Sequence, residues 1–464
     1  MLIALLQNPY FLTLIIVFFA LFVYVIVCEE YIPAFIFIVF ASLSIVLKLS
    51  DLGAIGLLKA VLLMFLFGTL VYKNLKKGLS MPVGGIGLIV IYILSVYISG
   101  EVNNVPFVNY RSEIGLLIMA IVISLAPNNM KTLNMLSIVI FFWGLANAFV
   151  VITAKLGIGW GGLEVFNQGG RAIGLTGHST TMGAYFSISL IAAQVLFIKE
   201  QKKTLKMILL ISGVLLMLGL LSTIARGAFV GWLVAFLFIQ YRVQGMKLSS
   251  VFGILAISIV GFFVASMLGL DQMLLDRFTG MEKDSSAQAR IPLLLASLET
   301  LSKHLFLGTG VGWVDVKMLL QSHNMFMQVL VETGVIGFCL FMSILWKTGW
   351  GLLRRSKTLA AVSTGQSVFS EKSNESYSGV STGDLLRQSE NLSDVRRTSF
   401  KSVGLLRDTV KKELVPQGDP NLSIYYIGFV AMLGAILLNG ITHSFDYFMP
   451  FWILVGVAFM KWRK

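Results

Sequence analysis

Apolar runs long enough to cross a bilayer recur from one end of this chain to the other, and they limit what it can fold into more than any other feature. A hydrocarbon core of about 30 Å takes about 20 helical residues to span. Segments near 11–27, 32–47, 54–71, 83–99, 114–126, 134–154, 180–198, 207–222, 228–241, 250–269, 325–345, 425–440 and 447–460 supply such runs, or most of one, nearly free of charge. Without water, every backbone N–H and C=O must be satisfied inside the membrane, which leaves helices or closed barrels. Barrel strands would be about 10 residues long and alternate in polarity; these runs do not alternate. The reading is an all-α polytopic membrane protein of twelve or thirteen transmembrane helices, with the parity open.

Composition agrees. Of 464 residues 56% are hydrophobic and 13% charged, against about 25% charged in a soluble domain, and the mean hydropathy is +0.84. Forty-four glycines and 34 phenylalanines suit packed spans, where small residues admit close approach and aromatic rings fill the gaps. Cys28 and Cys339 form no metal-ligand spacing. The first residues lack the basic region and small-residue cleavage pattern of a signal peptide, so the first apolar run reads as a retained membrane segment.

A net charge of +13 would suggest nucleic acid in a soluble protein. Here the cations sit in short loops between spans, where the positive-inside rule accounts for them and no nucleic-acid partner is expected. Lys73, Lys76 and Lys77; Lys199, Lys202, Lys203 and Lys206; Arg242 and Lys247; Lys347, Arg354, Arg355 and Lys357; and the tail from Lys461 to Lys464 mark five cytoplasmic loops. Alternating the spans puts every one of these clusters on the same side. The opposite face receives 101–113, 155–179, the corner 222–228, the loop 270–324 and the corner 441–446. All four histidines, His178, His304, His323 and His443, fall on that outer face.

The chain then divides into N-terminal helices over 1–80, a bundle over 81–269 with outer loops 101–113 and 155–179, an outer loop 270–324, a span 325–345, a polar segment 346–424 and C-terminal spans over 425–464. Within the polar segment, 356–420 is Ser-rich with charges of both signs and few aromatics, and reads as a cytoplasmic insert, disordered or only locally helical. It is either a tolerated linker or a docking site.

The chemistry concentrates on the outer face. Arg226 stands at a sharp corner, Ser222-Thr223-Ile224-Ala225-Arg226-Gly227. It is either an interfacial arginine that snorkels or a fixed anion clamp, because a planar guanidinium can grip two phosphate oxygens at once. Arg290 opens an apolar-faced run, 291–301, read as a helix along the outer surface; a cation at a helix N-terminus is electrostatically unfavourable unless something there needs it. Arg171 lies among glycines in Gly169-Gly170-Arg171-Ala172-Ile173-Gly174, shortly before His178.

His323 and Asn324 stand where the outer loop meets the span beginning at Met325. The imidazole is either a hydrogen-bonded helix cap or a base taking a proton near neutral pH, a contribution typically of about 10²–10⁴ in rate. Glu332, nine positions on, lies some 13 Å along a helix, too far to orient that imidazole directly, and is expected to bond within the bundle. Upstream, the glycines of Gly308-Thr309-Gly310-Val311-Gly312-Trp313 let backbone approach a ligand or another segment. The chain has no Asp-x-Asp pair, no Walker loop and no His/Cys cluster at zinc spacing. Transfer from a diphosphate donor would therefore rest on arginines, with no metal or other cofactor.

In combination and order these motifs resemble the O-antigen ligase and polymerase superfamily of bacterial envelope membrane proteins. The likeness rests on His323-Asn324 followed after nine residues by Gly334-Val335-Ile336-Gly337, the glycine loop 308–312, Arg290 and the corner at Arg226. It covers 165–345 well and 425–460 weakly. The resemblance implies a GT-C-like bundle of about twelve helices in the bacterial inner membrane, with its active face periplasmic. It implies a glycan donor on undecaprenyl diphosphate, and an acceptor that is lipid A-core or a growing glycan. Carried over by motif, Arg226 and Arg290 would hold the diphosphate and His323 would activate the acceptor hydroxyl. Arg171, His178, Asn324 and His443 are possible supporting residues. Ligase and polymerase share this core; the spacing after His323 leans to the ligase. A flippase would need charged residues along a path through the spans, which are nearly free of charge.

Overall fold

The computed structural model describes residues 82–126, 128–158, 164–166, 170–176, 178–244, 290–312, 324–375, 420–440 and 449–460. The expected spans before 82 and near 250–269 lie outside them. Ten α-helices run through the described residues: α1 Val83–Val102, α2 Phe107–Ser124, α3 Met130–Lys155, α4 Ser179–Lys199, α5 Lys203–Thr223, α6 Arg226–Gln244, α7 Arg290–Lys303, α8 Met325–Glu375, α9 Pro420–Gly440 and α10 Met449–Phe459. Stretches within α1, α3, α4, α5, α8 and α9 are long and apolar enough to cross a membrane. The protein is an all-α, multi-pass membrane protein.

Two expected boundaries move. The loop read as 101–113 narrows to 103–106, because α2 starts at Phe107, directly after Pro106. Polar residues are no obstacle there, since a helix satisfies its own backbone. The span read as 325–345 belongs to a helix that continues to Glu375, so the first part of the polar segment is helical; 376–419 lie outside the described residues.

α4 is the centre. It packs against α3, α5, α6 and α9, and its side chains are buried almost continuously from Met182 to Leu196. A helix apolar on all sides has no face to give to water or to lipid, and belongs inside. α1 and α5 lie at the margin, presenting Val90, Ile91 and Leu94, and Met207, Ile208 and Ile211, outward. Small residues set the closest crossings. A Cβ on Gly183 would lie 2.6 Å from that of Ala225, and one on Gly231 would lie 3.0 Å from the main-chain oxygen of Ala435.

These crossings fix the register. Gly183 faces Ala225 and Ala228, and Gln194 Nε2 donates to Phe236 O at 3.4 Å, so α4 and α6 run in the same direction. Gly428 meets Val195 while Gly231 meets Ala435, so α9 runs opposite to both. The end of α9 at Gly440 is therefore level with the start of α6 at Arg226.

Helix ends that the alternation places on one side meet in the structure. Tyr425 Oη and Lys199 Nζ both donate to Asn134 Oδ1, and Tyr426 Oη donates to Asn128 Oδ1. Arg355 donates from Nη1 to Val457 O at 2.7 Å and from Nη2 to Met460 O. At the opposite end, Asn103 Nδ2 donates to Gly308 O at 2.9 Å.

Candidate functional site

The corner between α5 and α6 is strained and tied down. α5 ends in Ile224 at φ 54, ψ 31, a left-handed conformation that a β-branched residue adopts only when its surroundings force it. Ala225 N donates to Thr223 Oγ1 at 3.3 Å. The loop before α4 supplies the rest: Ala172 N donates to Ser222 O at 2.9 Å, Ile173 N to Val165 O at 2.8 Å, and Arg171 Nε to Thr223 O at 3.2 Å. Arg171 and Arg226 thus share one corner. Arg171, half-buried, is anchored to the main chain three residues before Arg226. Local sequence could not show this, because the acceptor is a carbonyl 52 residues away.

Arg226 is the first residue of α6 and Arg290 the first of α7, each at the end where the helix dipole repels a cation. α7 packs on α8, burying Leu293, Ser297 and Leu301 while Leu294, Leu295 and Leu298 stay exposed, in keeping with a helix lying along the surface. The Arg290 side chain, His323 and His443 are outside the described residues. His178 is exposed at the N-cap position of α4, where its carbonyl accepts from Met182 N at 2.9 Å.

Asn324 is the N-cap of α8: its Oδ1 accepts from Phe326 N at 2.9 Å and Met327 N at 3.1 Å. Two of the orphan donors at the helix start are satisfied this way. Asn324 thus caps the helix that follows His323 in the sequence.

α8 does not run straight. Gly334 takes φ 67, ψ −174, and the helical hydrogen bonds are replaced around it. Val331 O accepts from Thr309 N and Glu332 O from Gly310 N, both at 2.9 Å, while Val335 N donates to Leu305 O at 2.9 Å. The two glycine motifs are one unit, with the loop 305–312 threaded into a break in the helix. A Cβ on Gly308 would come within 2.5 Å of the carbonyl of Glu332, and one on Gly334 within 2.5 Å of Gly308 N. Ser99 Oγ closes the third side by donating to Glu332 O at 2.8 Å.

The break folds the first turns of α8 back. Gly349 faces Leu433, and a Cβ on Gly440 would lie 3.1–3.5 Å from the Met325 side chain. Only seven helical residues, about 10 Å, separate Leu433 from Gly440. In a straight helix Met325 and Gly349 would stand about 36 Å apart. The 325–333 segment must therefore double back along the rest of α8, bringing Asn324 beside the end of α9. Arg226 is level with that same end, so the N-termini of α6 and α8 flank Gly440. Sequence pattern missed the reversal because the apolar run passes through Gly334 uninterrupted.

Glu332 is 3% exposed and is the one charged side chain buried among the described residues. Its Oε1 accepts from Gly312 N at 3.0 Å and Gln328 Nε2 at 3.4 Å, so it does bond within the bundle.

Residues 172–342 match the family model described as O-Antigen ligase. No curated protein compared with the chain matches it. The matched span opens one residue after Arg171 and closes in α8 just past the break. It thereby takes in the strained corner, the start of α7, the glycine loop and the Asn324 cap. The order of motifs seen in the sequence is the order in which that span is built, and over residues 172–342 the chain is similar to the O-Antigen ligase family.

Proposed function

We propose that the protein transfers a glycan from an undecaprenyl-diphosphate donor to a lipid or glycan acceptor at the periplasmic face of the bacterial inner membrane, as an O-antigen ligase does. Arg226 and Arg290 hold the diphosphate. His323 takes the proton of the acceptor hydroxyl as its oxygen bonds to the anomeric carbon; the bond from that carbon to the diphosphate oxygen breaks, and undecaprenyl diphosphate leaves. Attack opposite the leaving group inverts the anomeric centre. The arginines supply the charge that a divalent ion would otherwise bring to the diphosphate.

What supports this reading is the meeting of two helix N-termini, at Arg226 and at Asn324, around the end of α9. Helix N-termini favour anions, and the Arg171–Thr223 bond adds a second guanidinium to the same corner. Arginines at the heads of α6 and α7 are unfavourable for the helices alone and are explained by an anionic substrate.

The test is reconstitution of the purified full-length protein in liposomes with a lipid-linked glycan, with and without a lipid A-core acceptor. Core capped by glycan supports the ligase, whereas glycan chains that lengthen without the core identify a polymerase. His323→Ala is expected to abolish transfer with normal insertion; transfer at the unsubstituted rate would overturn the assignment.

A further inference from the structure

The geometry points to Glu332 as a positioning residue for the reaction: the pin that holds the outer loop against the break in α8, so that the folded-back segment beginning at Asn324 keeps its place. This rests on the proposed role of His323, which immediately precedes that segment. An acid buried in a membrane span is expensive and normally marks function.

Glu332 acts from both ends. Its main-chain oxygen, released from the helix by the turn at Gly334, accepts from Gly310 N and from Ser99 Oγ. Its carboxylate accepts from Gly312 N, two residues along the same loop, and from Gln328 Nε2 one turn back in the folded-back segment. One residue therefore joins α1, the glycine loop and the folded-back arm of α8. The loop leaves Gly312 and returns at Asn324, so Gly312 is its fixed post on one side and the Asn324 cap on the other. Gly310 and Gly312 stand at φ 87 and φ 82, conformations a chain holds only when its hydrogen bonds fix them. The carboxylate fixes two anchors, Gly312 directly and the Asn324 segment through Gln328, on either side of the stretch that carries His323 in the sequence.

Such a pin needs an acceptor at Oε1, not a charge. In the full-length protein in nanodiscs, Glu332→Ala is expected to speed amide hydrogen exchange over 308–312 by about tenfold, the loss of one buried hydrogen bond. It should lower kcat for glycan transfer at least as much, with the donor KM changed less than about twofold. Glu332→Gln keeps a carbonyl oxygen facing Gly312 N and is expected to retain both loop protection and most of kcat. Unchanged exchange in Glu332→Ala overturns the pin. So does a Glu332→Gln protein with normal exchange and no transfer, since Glu332 would then act as an acid or base. If Glu332→Ala does not insert, Glu332→Gln alone decides: loss of loop protection overturns the proposal and retention with activity sustains it. Should Glu332→Ala loosen the loop while His323→Ala still transfers glycan, the loop pin stands and the catalytic reading of His323 falls.

Discussion

Arg171 Nε donates to the main-chain oxygen of Thr223 at 3.2 Å, joining the loop before α4 to the corner that begins α6 with Arg226. The bond orients one guanidinium and braces the corner that carries another. A hydrogen bond from a charged donor is worth about 1.5–3 kcal/mol, and this one is half-exposed, so the lower value applies. Arg171→Ala is expected to raise the donor KM about tenfold with a smaller effect on kcat. Arg171→Lys keeps the charge but cannot reproduce the planar Nε bond, and should fall between. Transfer kinetics against lipid-linked glycan concentration check both.

How much of this was legible in the chain depends on whether the signal was local. Spans appear as apolar runs, and the corner at Arg226 appears as polar residues and a glycine between two of them. The partner of Arg171 does not, because a main-chain carbonyl has no sequence identity. Gly308 and Gly334 were each visible as members of glycine motifs, but their mutual contact is a fact of backbone dihedrals and of a loop passing through a helix. The length of α8 was hidden for the opposite reason. Polarity marks where the membrane stops, not where the helix does, and the helix runs on to Glu375.

Gly334 and Gly308 each leave no room for a side chain, and both take positive φ. Alanine at either position meets main-chain atoms that cannot swing aside. It would also impose a left-handed conformation costing about 1–2 kcal/mol by itself. Gly334→Ala and Gly308→Ala are each expected to lower the thermal unfolding midpoint of the detergent-solubilised protein measurably. Because they open the same contact, the double variant should lose less than the sum of the two. Additive losses would show the two glycines to be independent.

Asn324 separates stability from activity. Removing its cap by Asn324→Ala is expected to cost about 1 kcal/mol, seen as a lower unfolding midpoint. Asn324→Asp keeps an oxygen for Phe326 N and Met327 N, and favours the helix dipole, so stability should hold or rise. It also places a negative charge where the donor diphosphate is proposed to bind, and like charges there should raise the donor KM. A stable Asn324→Asp protein with unchanged donor KM would argue against an anion at the α8 terminus.

Gly231 tests the level relationship between Arg226 and the end of α9. Five residues of helix, about 7.5 Å, separate Gly231 from Arg226, and at Gly231 the two helices approach so closely that a Cβ would lie 3.0 Å from Ala435 O and 3.3 Å from Ala435 Cα. Alanine there needs a shift of a few tenths of an ångström. Leucine needs α6 to move away from α9, carrying Arg226 with it and away from the α8 terminus. Gly231→Leu is therefore expected to reduce transfer at least about tenfold in protein that still inserts, while Gly231→Ala keeps most of it. Since the atoms met are main-chain, shortening the opposite side chain by Ala435→Gly should give no relief. Recovery of transfer in the Gly231→Leu, Ala435→Gly double variant would show that side-chain packing, not the distance between the two helix backbones, sets the position of Arg226.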